Sequence, residues 1–201
     1  MVMDMKKLIP SKTLHRFNVT KWKWLSQVKL NIRDLGDSYE VWYYTKRNKG
    51  NYKISKIVPK KVDVNDYFKC ALIAYLCEGT KISKGANTHS SGQKGKNIHI
   101  TNGDHWILKL VIDEFEKIGI SRGKWRVVLD LFSQHNIEEE KIWWSKKLKL
   151  PLENIYKTYV YPGDITKAYR EPHGRARIRC ESVIFGAIIS NLINLLMNDK
   201  L

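Results

Sequence analysis

A chain of 201 residues with 43% hydrophobic and 11% aromatic side chains is long and apolar enough for one domain with an extension, which excludes a disordered tail. A formal net charge of +16 points to a polyanionic partner, of which nucleic acid is the commonest. No apolar run reaches bilayer length, Met1 to Pro10 lacks the apolar core of a signal peptide, and no basic amphipathic helix is evident, so no membrane partner is expected.

The basic excess is one-sided. Residues 1–62 carry 15 Lys and Arg against 4 Asp and Glu, which is +11, whereas the rest carries 21 against 16, which is +5. Trp22, Trp24, Tyr39, Trp42, Tyr43, Tyr44 and Tyr52 are interleaved with those bases. Tyr39 to Thr45 and Tyr52 to Val58 read as strands joined by a turn at Arg47-Asn48-Lys49-Gly50-Asn51, a basic hairpin able to lie along phosphates or in a groove. Thr13 to Val28 has the composition of a short helix, and Pro59-Lys60-Lys61-Val62 marks the boundary between an extension, 1–62, and a domain, 63–201.

An apolar run, Phe68 to Cys77, follows and ends in Glu78-Gly79-Thr80-Lys81; Asp63 and Asn65 ahead of it are good N-caps. Cys70, Ala74 and Cys77 fall at i, i+4 and i+7, a small-residue stripe against which another backbone can approach closely. Glu78 would sit at the helix C-terminus, where the dipole disfavours a negative charge unless a cation shares the site. Cys70, Cys77 and Cys180 are an odd number without zinc-binding spacing. They read as small buried side chains of the cytoplasm or another reducing, DNA-containing compartment.

Downstream, 83–96 is a Gly-, Ser- and Lys-rich loop, with Lys81, Lys84, Lys94 and Lys96 suited to a phosphate backbone. Asn97 to Thr101 alternates as a half-buried strand; Asp104 caps an amphipathic helix that Gly119 closes. Trp125 to Phe132 is a strand carrying Arg126 and Asp130, and Asn136 with Glu138 to Glu140 opens a helix to Leu148. Ile155 to Tyr161 and Arg175 to Cys180 are strands, the second placing Arg175, Arg177 and Arg179 on one face for phosphates or guanine edges. Ser182 to Met197 is an apolar helix, while His135 and His173 fall in turns and suit structural or DNA-contacting roles.

Ala71 to Gly79, ALIAYLCEG, followed by Thr80-Lys81, resembles the signature helix of the LAGLIDADG homing endonucleases in its single-motif form. Ile100 to Asp104, His135 with the helix after it, and His173 to Cys180 resemble later segments of that family. The resemblance covers about residues 63–198. It implies an α+β fold, a saddle of antiparallel strands with packed helices (αββαββα), preceded here by a basic β-rich extension and carrying one inserted helix between its third and fourth strands. It also implies a homodimer on double-stranded DNA, with Cys70, Ala71, Ala74 and Cys77 at the helix interface. Glu78 together with a main-chain carbonyl of Cys77 or Gly79 would hold Mg2+ or another divalent cation, and Lys157 would either stand near the attacking water as a second catalytic residue or contact a phosphate. Arg126, Arg175, Arg177 and Arg179 join the lysines as DNA contacts.

The activity implied is metal-dependent, site-specific double-strand cleavage by an intron-type homing endonuclease. Ile73 departs from the family motif, which has a small residue there; either the stripe shifts to Cys70/Ala74/Cys77 or the dimer is looser. That departure, with the basic extension, also fits a non-catalytic DNA-binding transcriptional regulator on the same scaffold, and more distantly an RNA-binding intron maturase.

Overall fold

The computed structural model describes residues 1–16, 25–47, 50–79, 97–162 and 171–201. Its architecture is mixed α+β, with four α-helices and several mostly antiparallel sheets among the described residues. Among its described residues the N-terminal part is all-β apart from one helical turn. Strand β1 (Val2–Asp4) pairs with β7 (Lys61–Asp63), β2 (Lys12–Arg16) with β3 (Leu25–Lys29), and β4 (Asn31–Asp34) with β5 (Ser38–Arg47), which in turn pairs with β6 (Gly50–Pro59). The β5–β6 pair is the hairpin expected, but its ladder runs from Ser38↔Pro59 to Arg47↔Gly50, so Arg47, Gly50 and Asn51, expected in the turn, are strand residues. The helix expected within Thr13 to Val28 is replaced by the β2–β3 pair: Thr13 opposes Val28, and Leu30 N–H donates to the Ser11 carbonyl at 3.1 Å. Pairing with a partner strand satisfies the backbone groups that face it, which outweighs weak local helix propensity.

Residues 1–62 are not a loosely attached arm. Met5 and Leu8 are fully buried, and one hydrophobic core runs from them through Val41, Tyr43 and Val58 into the C-terminal helices. The Asn191 amide donates to the Leu8 carbonyl at 2.9 Å, and Val64 N–H donates to the Met1 carbonyl at 2.8 Å.

The C-terminal part begins with α1 (Asp66–Glu78), capped by the Asn65 side chain on Phe68 N–H at 3.0 Å. Strand β8 (Asn97–Asn102) leads to α2 (His105–Glu116), capped by Asp104 on Trp106 N–H at 2.8 Å. Next come β9 (Arg126–Phe132), α3 (Ile137–Leu148), β10 (Ile155–Tyr161), β11 (Arg175–Glu181) and α4 (Val183–Leu196). Asn136 caps α3, whose glutamates therefore begin a helix as expected, and Lys149 ends it in the left-handed conformation. Ser182 caps α4 on Phe185 N–H at 3.2 Å.

The four strands form one sheet in the order β10-β9-β11-β8, with β11 antiparallel to both of its neighbours. Strand β10, however, runs parallel to β9. A parallel pair needs a crossover, and α3 supplies it. The single extra helix expected between the third and fourth strands is followed here by a strand, β10, at the edge of the sheet among the described residues. Ile98, Ile100, Val127, Leu129, Leu131, Ala176, Ile178 and Cys180 face inward and are at most 3% exposed, lying under the helices. Burial of that kind contributes roughly 1.5–3 kcal/mol per large aliphatic side chain. The opposite face of the sheet carries no helix among the described residues.

Candidate nucleic acid interface

The alternation that buries one face of the sheet turns the other outward. On β11 the outward residues are Arg175, Arg177 and Arg179, as the sequence predicts, the first exposed and the other two half-buried. The register sets them in rows: Arg177 lies between Val128 of β9 and Thr101 of β8, Arg179 between Arg126 and His99, and Arg175 beside Asp130. Each of the three arginines has an acid. Arg175 pairs with Glu171 at 2.5 Å, Arg177 with Asp130 at 3.0 Å, and Arg179 with Glu181 at 3.2 Å. The Nε atoms of Arg177 and Arg179 are buried and make no hydrogen bond. The acids hold the guanidinium groups in place; the buried Nε atoms are out of a ligand's reach, so contact with a phosphate or a base edge would fall to the terminal nitrogens. Arg126 is exposed on the same face.

His99 shares this floor; its Nε2 lies 3.3 Å from the Thr101 hydroxyl. Burial lowers its pKa, and the nearby Arg177 and Arg179 add to the effect.

Helix α1 reaches the edge of the sheet. Gly79, directly after Glu78, bridges to Ile100 of β8. Its N–H donates to the Tyr75 carbonyl at 2.8 Å, and a Cβ here would fall within 2.5 and 2.6 Å of two Tyr75 ring carbons. Tyr75 is 4% exposed and meets Phe115 edge-on, with 5.8 Å between ring centroids. The expected glycine thus has a steric reason: only a hydrogen fits between the helix end and the buried ring. Glu78 is exposed, and no described residue pairs with its carboxylate.

The faces of α1 differ from expectation. Phe68, Ala71, Leu72 and Tyr75 are buried in the protomer, while Tyr67 is 70% and Ile73 47% exposed, with Cys70 and Cys77 exposed beside them and Ala74 half-buried. The helix is not buried all round. Ala71, expected at an interface between two copies, is buried in the protomer's own core, and Ala74 is half-buried against that core, whereas Cys70 and Cys77 lie on the exposed side. The reading of three buried cysteines holds for Cys180 alone, whose thiol burial pushes up to about 11.

Lys157 is not brought near Glu78. It lies on β10, at the sheet edge opposite the Gly79 bridge, with its Nζ 4.3 Å from the centroid of the Tyr159 ring. Four strand spacings separate the two positions, about 19 Å, beyond the reach of a lysine side chain. Within one chain the sheet therefore does not bring Lys157 and Glu78 together at one site. Lys81, Lys84, Lys94 and Lys96, and the loop they line, lie outside the described residues.

Sequence reasoning missed a cluster at the other end of α2 and α3. The His173 ring stacks on Trp143 with centroids 3.6 Å apart, and its Nδ1 lies 3.0 Å from Glu140, a carboxylate only 9% exposed. Trp144 Nε1 donates to the His173 carbonyl at 2.8 Å, and the Phe132 N–H donates to His135 Nδ1 at 2.9 Å. These contacts, with His135 Nε2 3.2 Å from the Pro172 carbonyl, hold the segment that leads into β11 and Arg175. Their signal lay in the Glu140, Trp143, Trp144 spacing along α3, which cannot be tied to residue 173 without the fold.

Among the described residues no three His, Cys, Asp or Glu side chains gather as a metal centre, and no helix is long and apolar enough to cross a membrane. Comparison of the sequence with protein-family models and with curated proteins gives no match.

Proposed function

We propose that the chain is a LAGLIDADG-type, divalent-metal-dependent DNA endonuclease that acts as a homodimer, with the outward face of the β10-β9-β11-β8 sheet as its DNA surface. The observation that carries this reading is a conjunction on one helix. An exposed apolar stripe, Tyr67, Cys70, Ile73 and Cys77, runs along α1 and ends at a carboxylate, Glu78, that has no partner among the described residues and lies on the margin of an arginine-rich open sheet. A second copy packed on the stripe would remove the exposed apolar surface and bring two Glu78 side chains together about a two-fold axis, matching a pseudo-palindromic site.

The donor set fits a hard cation. Glu78 offers carboxylate oxygens, and the carbonyls of the last helical turn, Cys77 among them, lack an intrahelical partner by construction. One carboxylate and one carbonyl are too few for Mg2+, so the remaining ligands would come from the second copy, water and a phosphate oxygen. Such an ion, when bound, lowers the pKa of a water and offsets charge developing on phosphorus. The chain's own residues bind and orient: Arg126, Arg175, Arg177 and Arg179 hold the backbone, and Gly79 fixes the direction of the Glu78 main chain.

One observation favours a second reading, a non-catalytic DNA-binding regulator on the same scaffold. Ile73 stands in the middle of the stripe at 47% exposure, where a branched side chain keeps two helices apart. Supercoiled-plasmid cleavage over a library of candidate sites with Mg2+, comparing the wild type with Glu78→Gln, separates the two. Metal-dependent double-strand cuts that vanish in the variant support the endonuclease; salt-sensitive binding by both proteins without cutting at any bound site refutes it and leaves the regulator.

A further inference from the structure

We infer that β10, the parallel edge strand, is an additional DNA-contact element that grips the sugar–phosphate backbone at the outside of each half-site. The inference rests on the reading of the open sheet face as a duplex-DNA surface and deepens it.

Three observations carry it. First, β10 shares the arginine face. Its register with β9 places Lys157 opposite Val128, Tyr159 opposite Asp130 and Tyr161 opposite Phe132, all on the outward side. A register shift between Ile155 and Lys157 brings Tyr156 to that side as well, where the Arg179 guanidinium lies 5.0 Å from its ring centroid. Secondly, these aromatics are uncovered. Tyr156 is 45%, Tyr159 39% and Tyr161 47% exposed, and Lys157 beside them is exposed. The Tyr161 hydroxyl donates to Asp130 at 3.5 Å, while the phenols of Tyr156 and Tyr159 and the Lys157 ammonium form a row of hydrogen-bond donors, and polar donors of that kind position a protein on phosphates without reading sequence. In a chain of net charge +16, a polyanion is the complementary occupant.

Thirdly, the strand order fixes where that row falls. The α1 end meets β8, and β10 is the strand farthest from it. With a dimer axis at α1, the row stands about 19 Å out, four strand spacings, or roughly five to six base-pair rises of about 3.4 Å. The contact would therefore lie beyond the positions reached by Arg177 and Arg179.

The test uses the full-length protein. A duplex target is selected from a randomised library, and affinity is measured on that target and on one trimmed of its outer base pairs, for the wild type, Lys157→Ala and Tyr159→Ala. The expected result is a roughly tenfold loss for each variant on the full target with a shallower salt slope for Lys157→Ala, and no further loss on the trimmed target. Tyr159→Phe, which keeps the ring and the strand, should lose affinity on the full target only, and a melting curve for each variant certifies folding. Equal losses on both duplexes, or none on either, would overturn the role of β10 while leaving the DNA surface standing. A variant that changed only the oligomeric state would overturn it too, by making β10 an edge for another chain. Failure of the wild type to bind any duplex would sink both readings together.

Discussion

Gly79→Ala tests the joint between α1 and the sheet. The backbone at Gly79 is not in the left-handed region, so an alanine there has no conformational penalty; the whole cost is steric. Its Cβ would overlap the Tyr75 carbonyl and approach two ring carbons at 2.5 and 2.6 Å, about 1 Å inside ordinary contact. The carbonyl belongs to the helix itself, and the ring is 4% exposed against Phe115, so neither can swing aside freely. Overpacking of a rigid site costs roughly 1–3 kcal/mol, and here about 2–3 kcal/mol is expected. For a chain of this size each kcal/mol lowers the melting temperature by about 2–4 °C, so the variant should melt about 4–12 °C below the wild type.

Circular dichroism melts with matched urea titrations measure the shift. Gly123→Ala is the control: nothing lies within 4 Å of the Cβ it would carry, so its effect should stay within about 0.5 kcal/mol. A Gly79→Ala melting temperature within about 2 °C of the wild type would refute the tight joint. It would also remove the argument that Gly79 fixes where Glu78 stands.

The remaining expectations concern the dimer, the open face, pH and the extension. Ile73→Glu should leave the protomer's stability nearly unchanged, because the side chain is already 47% exposed, yet weaken self-association at least tenfold by sedimentation; an unchanged dimer would place the interface elsewhere. Arg177→Ala should weaken duplex binding at all sequences and reduce its salt slope, and it should also lower stability modestly, since Asp130 would lose its partner. An intact salt slope would take Arg177 off the DNA. Stability should fall as pH drops below about 6.5, because burial depresses the pKa values of both His99 and His105 and the unfolded chain then binds more protons than the folded one. His99→Asn should flatten that slope in melts between pH 7 and 5; an unaltered slope would assign it to other groups. Deleting residues 1–62 should leave a chain that fails to fold, since Met5 and Leu8 fill the core beside α4; a cooperative melt of the truncated chain would contradict the shared core.

Local rules settled much of this protein in advance. Caps at Asn65, Asp104, Asn136 and Ser182 set the helix starts, because a side-chain acceptor beside an orphan N–H needs no tertiary partner. Period-two alternation likewise put Arg175, Arg177 and Arg179 on one face. Which face of α1 lies inward was not local: Ala71 and Cys70 are both small, and only the packing of α2 and α4 decided that one is buried and the other open. The partner of a strand was not local either, so Thr13 to Val28 looked helical until an antiparallel neighbour satisfied its backbone. Likewise, β10 could not be seen to lie parallel to β9, nor Lys157 to stand across the sheet from Glu78, because strand order is set by how α3 crosses over and packs.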